Sequence, residues 1–569
     1  MAKQMAYGPA QSHALQQQST VKKNLILKTI QVGASTLMSR LFGLVRELLT
    51  SKYLGVSEMA DAFLTAFKIP NSLRKIFAEG ALSAACVPTF VKILKNESQK
   101  EASSLMSLAF LFFEGLLLLF CGLIFWQADA VIRLIAPGWF LTDGAAMVSS
   151  SVPVLGFVLE WFAPAWYCLA PSIGQAYYAT IYLRILISFI VFLSSSALLA
   201  GALQAVNHFF IPSFTPVLFN VVFISGLLCC LKFGLSIEWL CCAILFGGFL
   251  QFFLHLIVYF KLNFTFGKID VKTVHHFKQV MVKFLPCLVS MSILELNLFM
   301  STSQATYLPK GSIALLYYAN RFMGIPLGVL IGAFSTILLP YFSRISIYAP
   351  KRLSIYLLEA SKVVFWITIP CTVLMSFLSE KIFHTLLLSE KFSLMHVQQA
   401  SQLLIIFLTG LFFFSLYKIL LNIYYALHDT ITPCYISLAV LVINYLLCKL
   451  LAPLYGVNGL ALAFVITNII HVTFFAFFLY KKFNFKFYFS AFAKCVASCL
   501  MQTAFLVLLF GCSYFCGQMV IAYCANQFFN QFLLYKIGFW LWVGPLFLMT
   551  CYLLLVTRKF FKIRLYFLD

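Results

Sequence analysis

Apolar runs of about twenty residues recur along nearly the whole chain, broken by short stretches where Lys, Pro, Asn and Gly collect. A helix of that length matches the roughly 30 Å hydrocarbon layer of a bilayer. The pattern predicts about fourteen membrane-spanning helices, centred near Leu37, Leu73, Leu116, Phe192, Val222, Phe249, Leu294, Val329, Ile369, Leu408, Val442, Ile466, Phe505 and Val543. The second and eighth are the weakest by hydropathy, since both carry polar residues and a Pro. The fold class is all-α and polytopic. One stretch resists the pattern: between Gly138 and Tyr182 the apolar run is punctuated by Pro153, Glu160, Pro164 and Pro171. It reads as a re-entrant or surface-lying insertion on the outer side, because a lone extra crossing would invert every span after it.

Composition agrees. Of 569 residues, 62% are apolar and only 10% charged, with a mean hydropathy of +0.95. A soluble domain carries roughly a quarter charged residues, so soluble enzymes, nucleic-acid binders and disordered chains are excluded. The excess of 40 Lys and Arg over 18 Asp and Glu gives a net charge of +22. That surplus gathers beside Lys22, Lys95, Lys272, Lys351, Lys482 and Lys559, and in a fourteen-span count all these clusters share one side. By the positive-inside rule that side is cytoplasmic, and it holds both termini. The first twenty residues are polar and Gln-rich, without the apolar core of a signal peptide, and read as a cytoplasmic tail. The 17 Cys include no CxxC pair and read as small buried hydrophobes, so neither metal nor cofactor is expected.

The chain also repeats itself. Leu199–Pro212 aligns with Leu420–Pro433, a span running into a short polar turn and a Pro-led next span, and Tyr259 against Tyr480 keeps the same offset. Ile69-Pro70 matches Ile325-Pro326 at an offset longer by about 35 residues, close to the size of the 138–182 insertion. The implied architecture is two six-helix lobes in parallel pseudo-repeat plus two C-terminal helices, a transporter design. Its parts are a polar tail (1–24), an N-lobe (25–260), a basic cytoplasmic linker (261–283), a C-lobe (284–482) and a final pair of spans with a basic tail (483–569).

Charges within the spans are the functional candidates, since each is costly at bilayer depth unless it faces protein or water. Arg40, Arg46 and Glu47 fall in the first span. Asp61, Lys68, Arg74, Lys75 and Glu79 fall in or beside the second, and Arg321 opens the eighth after Asn320. At about 100° per residue Asp61, Lys68, Lys75 and Glu79 share a face, and Arg40 and Glu47 share a stripe. Two readings follow: a hydrated cationic cavity suited to phosphate oxygens, or ion pairs such as Lys75 with Glu79 neutralising each other between helices. The cations outnumber the acids, which favours the cavity. Glu114, Arg184, Glu295 and Lys418 read as structural. There is no GxxxxGK[ST], HExxH or GxSxG motif and no soluble domain to hydrolyse ATP, which points to a transporter rather than an enzyme.

Ser39-Arg40-Leu41-Phe42-Gly43-Leu44-Val45-Arg46-Glu47, Asp61-Ala62-Phe63 and Phe67-Lys68-Ile69-Pro70-Asn71-Ser72-Leu73-Arg74-Lys75-Ile76-Phe77-Ala78-Glu79-Gly80-Ala81 together resemble the opening signature of the MurJ (MviN) lipid II flippases. The likeness continues through Pro212-Ser213-Phe214-Thr215-Pro216, Asn220, Tyr317-Tyr318-Ala319-Asn320-Arg321, Leu338-Leu339-Pro340 and Tyr425–Pro433, over nearly all of residues 25–480. This family belongs to the multidrug/oligosaccharidyl-lipid/polysaccharide exporter superfamily. The resemblance implies movement of undecaprenyl-pyrophosphate-linked disaccharide-pentapeptide from the inner to the outer leaflet of the bacterial cytoplasmic membrane, by alternating access. It implies Arg40, Arg46, Arg74, Arg321, Lys68 and Asn71 as substrate-binding residues, and Asp61, Lys75, Glu79, Glu47 and Asn320 as cavity or ion-pair residues. Partners would be lipid II, membrane lipid and other cell-wall synthesis proteins.

The sequence departs from the family at three places. Asn320 stands where an Asp commonly precedes the Arg, and His208 takes a usual Arg position. Ser301 replaces an acidic residue that helps bind sodium in some relatives, which argues against sodium coupling. Rival readings are another exporter of the superfamily, carrying lipid-linked oligosaccharides or drugs, and a membrane glycosyltransferase. A drug antiporter for cations would want an acidic cavity. A glycosyltransferase would want outer-loop carboxylates, and the insertion offers only Asp143 and Glu160.

Overall fold

Backbone N–H and C=O groups cannot be left open in hydrocarbon, so a chain this apolar satisfies them within helices. The computed structural model describes residues 31, 34–76, 83–140, 174–206, 208–348, 352–524, 527–536 and 538–567. Among these the architecture is helical, with a lone β-bridge between Ser389 and Phe392. In chain order the helices are α1 (34–54), α2 (Glu58–Arg74), α3 (Ser83–Asn96), α4 (Gln99–Trp126), α5 (Ala128–Ile135), α6 (Gln175–Ile187), α7 (Phe189–Ala205), α8 (Phe210–Phe233) and α9 (Ile237–Lys261). They continue as α10 (Val271–Ala305), α11 (Ser312–Pro326), α12 (Gly332–Tyr348), α13 (Leu353–Leu387), α14 (Leu394–Thr409), α15 (Leu411–Ala426), α16 (Ile431–Phe483), α17 (Phe489–Cys524), α18 (Gln527–Tyr535) and α19 (Phe539–Thr557).

Among the described residues, eight helices are long and apolar enough to cross a membrane, and the bent pair α14–α15 makes a ninth. Their outer faces carry bare apolar side chains such as Leu119 and Trp126, 70% and 76% exposed, as lipid-facing surfaces do. The remaining expected centres lie on helices α1, α2 and α10 and on the π-helical turn Leu327–Ile331.

The 138–182 segment is corrected at its far end. Gln175–Tyr182 are not insertion but the opening turns of α6, which continues with α7 as one apolar span, Gln175–Ala205. Pro137–Phe140 form a short 3-10 turn, with the Gly138 amide donating to Thr306 Oγ1 at 3.0 Å. The 1–24 tail, Glu79 and residues 141–173 lie outside the described residues. The basic stretch 261–283 is helical from Val271 onward, as the start of α10.

The described residues group into two compact units. One takes in the chain up to Tyr53 with Ala66–Ile132 and Tyr177–Ser292; the other takes Leu54–Thr65, Arg133–Ala176 and the chain from Ile293 onward. In the first unit, α7 packs against α3, α4 and α9 around a core rich in rings: Phe90, Phe113, Tyr259, Phe264, Phe277 and Phe284. In the second, α13, α15 and α16 surround Phe342, Leu357, Ile419, Tyr424 and Phe475. Pseudo-repeat positions recur at helix ends. Ala205 and Ala426 both close a helix, and Phe210 and Ile431, at the same offset, both open the next. Pro70 and Pro326 each precede a π-helical turn, at 75–76 and at Leu327–Ile331.

The 53 residues of α16 would run about 80 Å if straight. Yet Lys482 Nζ, near its end, lies 2.7 Å from Asp429 Oδ2 and 3.0 Å from Thr432 Oγ1, beside its start. The chain therefore folds back, and it does so at Gly456, whose φ of 58° and ψ of −133° are open to glycine alone among common residues. The two expected centres Val442 and Ile466 sit on opposite sides of this break. A Cβ at Gly459 would collide with the Leu451 carbonyl oxygen, so the hairpin also depends on close backbone approach.

The last two long helices are riveted to this unit by one side chain. Gln502 of α17, fully buried, accepts from Trp366 Nε1 of α13 at 2.8 Å. It also donates to the Leu554 carbonyl and to Thr557 Oγ1 of α19, both at 2.8 Å.

Two outcomes are expected. Gly456→Ala lowers stability by about 1 kcal/mol or more through backbone strain, and Gly459→Ala lowers it further, as read from thermal unfolding in detergent. For Asp429, burial works against the charge, but Lys482 and the Thr432 side chain and amide outweigh it and hold the carboxyl below its usual range. A folded-state pKa below the unfolded value means the tie contributes fully above about pH 4 and is lost as pH falls through the folded pKa. Asp429→Asn should thus cost stability at pH 7 and progressively less in acid; a pH-independent difference would contradict the tie.

Candidate functional site

The candidate cations fall on elements of both units. Arg40 and Arg46 lie on α1, Lys68 and Arg74 on α2, Lys75 in the π turn that follows, and Arg321 on α11. Arg40 and Arg321 are exposed, while Arg46, Lys68, Arg74 and Lys75 are half-buried.

Arg46 is the most firmly held. Its Nη1 donates to Asn220 Oδ1 of α8 at 2.9 Å and its Nη2 to Glu47 Oε1 at 2.7 Å, and the guanidinium lies 5.2 Å from the Phe223 ring centre. Asn220 completes the junction by donating through Nδ2 to the Ser39 carbonyl at 3.1 Å. Glu47 is only 6% exposed, so it needs a close cation. Its partner is its neighbour Arg46, and this network fixes α1 against α8. In the second unit, Asn444 Nδ2 of α16 donates to Asn297 Oδ1 of α10 at 3.3 Å, an amide junction between the repeat-related pair of spans.

Arg74 sits at the C-terminal end of α2. One turn earlier, Asn71 Oδ1 accepts from both its Nε (3.2 Å) and its Nη2 (3.0 Å). The spacing of three residues puts the two side chains on one face, so Asn71 aims the fork of Arg74. Pro70 removes a helical hydrogen bond in the same turn, and the helix widens into the π turn just beyond.

Asp61 is buried at 2% exposure and committed elsewhere. Its Oδ2 accepts from the Gly311 amide at 2.7 Å and its Oδ1 from the Ala314 amide at 2.8 Å. Gly311 opens α11 with φ 89° and has no side chain to cap it, so Asp61 supplies the missing cap and complements the positive end of the helix. Glu58 pairs with Lys310 next to it, and the Val56 amide donates to the Lys391 carbonyl at 3.1 Å. The segment 54–65 is thereby fastened to the second unit, at the head of the helix that carries Asn320 and Arg321.

Sequence reasoning paired charges by helix face and so missed both of these partners. Asn220 is a lone amide inside an apolar span, a signal available for Arg46. The Asp61–Gly311 contact crosses 250 residues and has no local signature.

The model of the family described as Lipid II flippase MurJ matches residues 50–535. The chain belongs to that family. Its similarity to the lipid II flippase MurJ of Burkholderia cenocepacia is 31% identity over 447 residues, covering 77% of this chain and 81% of the relative. The probable lipid II flippase MurJ of Vibrio cholerae is 29% identical, covering 78% and 81%. Among solved structures, a lipid II flippase MurJ in an inward closed conformation aligns with a TM-score of 0.70 at 26% identity, covering 94% of this chain and 99% of that one. An inward-facing multidrug transporter of the MATE family aligns at a TM-score of 0.63 and 14% identity, covering 82% and 99%, a likeness of fold alone. The family match encloses α2, α11 and the Asp61 cap; Arg40 and Arg46 precede it.

Asp61→Ala should lower stability by about 2–4 kcal/mol, since two charge-assisted hydrogen bonds go and two buried amides lose their acceptor. Asp61→Asn, which keeps one good acceptor, should fall between. Thermal midpoints equal to that of the unaltered chain would remove the cap from the account.

Proposed function

We propose that this chain is a lipid II flippase of the bacterial cytoplasmic membrane, with both termini in the cytoplasm, driven without ATP hydrolysis. The observation that carries the reading is the family match across residues 50–535, joined to a structural likeness over 94% of the chain with a lipid II flippase. The chemistry supports it. A diphosphate joined to a sugar calls for fork-shaped donors held at fixed angles, and Arg74 is held in this way by Asn71.

On this reading Arg40, Arg74, Arg321 and Lys68 grip the diphosphate and sugar head, with Arg46, Asn71 and Lys75 shaping the field around them. The polyprenyl tail stays in lipid beside α17 and α19. Access alternates between the two faces of the membrane, with the proline and π-turn pairs at Pro70 and Pro326 as the compliant points. Fixed positive charge in the transport path makes the balance of states voltage-sensitive, by about 2.3 kcal/mol per charge per 100 mV if the full potential is crossed. The drug-antiporter alternative rests on a fold likeness at 14% identity and on no feature of the site.

Arg74→Ala and Arg321→Ala should each fail to complement a flippase-depleted strain at undiminished protein level, with lipid II in the outer leaflet reduced about tenfold or more, the effect of losing one charge-assisted contact. Lys at either position should restore only part, because it keeps the charge and loses the fork. Full growth with both Ala variants would overturn the assignment.

A further inference from the structure

One buried carboxyl takes no part in the site above. Glu114 stands near the middle of α4, is 5% exposed, and has both oxygens closed to solvent. Among the described residues no Lys or Arg forms an ion pair with it. The hydroxyls of Ser194 and Ser195 on α7 stand beside it. Cys121, two turns along α4, also faces it and points its thiol at the Ile187 carbonyl, 3.5 Å away. The α10 side of α4 is apolar, with Phe277 and Phe284 packed on Phe113.

The polar strip continues through α7. Successive residues on a helix turn by about 100°, so Ser194, Ser195 and Ser196 reach from the α4 side round to α9. There Ser196 Oγ meets His255 Nδ1 at 2.9 Å, and the same nitrogen lies 2.9 Å from the Gln251 carbonyl oxygen. A carbonyl only accepts, so Nδ1 carries the hydrogen; Nε2 is buried and takes no partner. Two titratable groups, Glu114 and His255, thus flank three hydroxyls in the interior of one unit.

An ionised carboxylate with no cation beside it, in hydrocarbon, is far costlier than a neutral one. A hard metal cation is a poor substitute, because one carboxyl and two hydroxyls fall short of the roughly six oxygens such an ion takes. We propose that Glu114 is a proton-binding site, loaded and unloaded in the transport cycle, with the hydroxyls of Ser194 and Ser195 beside it and Ser196–His255 as the polar continuation. The bond made and broken is the Glu114 O–H, and the proton exchanges with water. The inference rests on the transport reading for its coupling role, while the site itself does not.

The test has two arms on the full chain. In purified protein at pH 7, infrared difference spectroscopy should show a protonated-carboxyl C=O band that disappears in Glu114→Gln and persists in the surface control Asp270→Asn. A spectrum unchanged by Glu114→Gln overturns the site. Should that variant fail to fold, Ser194→Ala with Ser195→Ala should move the band's frequency, and an unmoved band has the same force. In proteoliposomes carrying lipid II, an imposed pH gradient should change the flipping rate of the unaltered chain, and Glu114→Gln should lose that response. A response retained in full overturns the coupling. If the unaltered chain flips no lipid II at all, the flippase reading fails while the infrared result still decides the site.

Discussion

Everything in this molecule depends on how polar groups are met inside a solvent that offers them nothing. In water an unmatched arginine or aspartate is hydrated; at bilayer depth it must find its partner in the protein. Arg46 shows the rule at work. Its two donors meet the Asn220 amide oxygen and the Glu47 carboxylate, a network that ties α1 to α8. Asp61 shows the other solution, a carboxylate met by backbone amides at a helix head instead of by a cation. Asp61, although it lies on α2 with Lys68 and Arg74, is thus engaged at the head of α11.

The repeat gives the two units a similar local irregularity. A proline alone weakens a helix, and a π turn alone widens it. Here each unit places one ahead of the other, Pro326 immediately before Leu327–Ile331 and Pro70 about one turn before 75–76. Those are the helices that carry Arg74 and Arg321. If Arg74 and Arg321 hold the substrate as proposed, the binding groups and the irregular backbone share the same helices.

Much of this was legible in the sequence, for physical reasons. Lipid imposes helices on apolar runs of a given length, so the fold class and the centres Val442 and Ile466 on either side of Gly456 could be read from hydropathy. The repeat was visible because turns and prolines are local signals. The partners of buried charges were not, because a helical wheel sees one helix at a time. Glu47 shares a stripe with Arg40 yet pairs with Arg46, and Asp61 shares a face with Lys68 yet caps a helix 250 residues away. The far end of the 138–182 segment departs from the pattern for a related reason: Pro171 signals a loop in the sequence, while α6 opens at Gln175, four residues later.

The Gln502 rivet has one more consequence. Trp366 N–H sits in the interior and has its acceptor on α17, while the same glutamine ties α19 at two points. A chain cut short before α17 would strand that indole hydrogen in an oily setting with no oxygen to receive it. The C-terminal pair is therefore no detachable ornament on the rest of the bundle: evolution could trim it only by rewriting the middle of α13 at the same time.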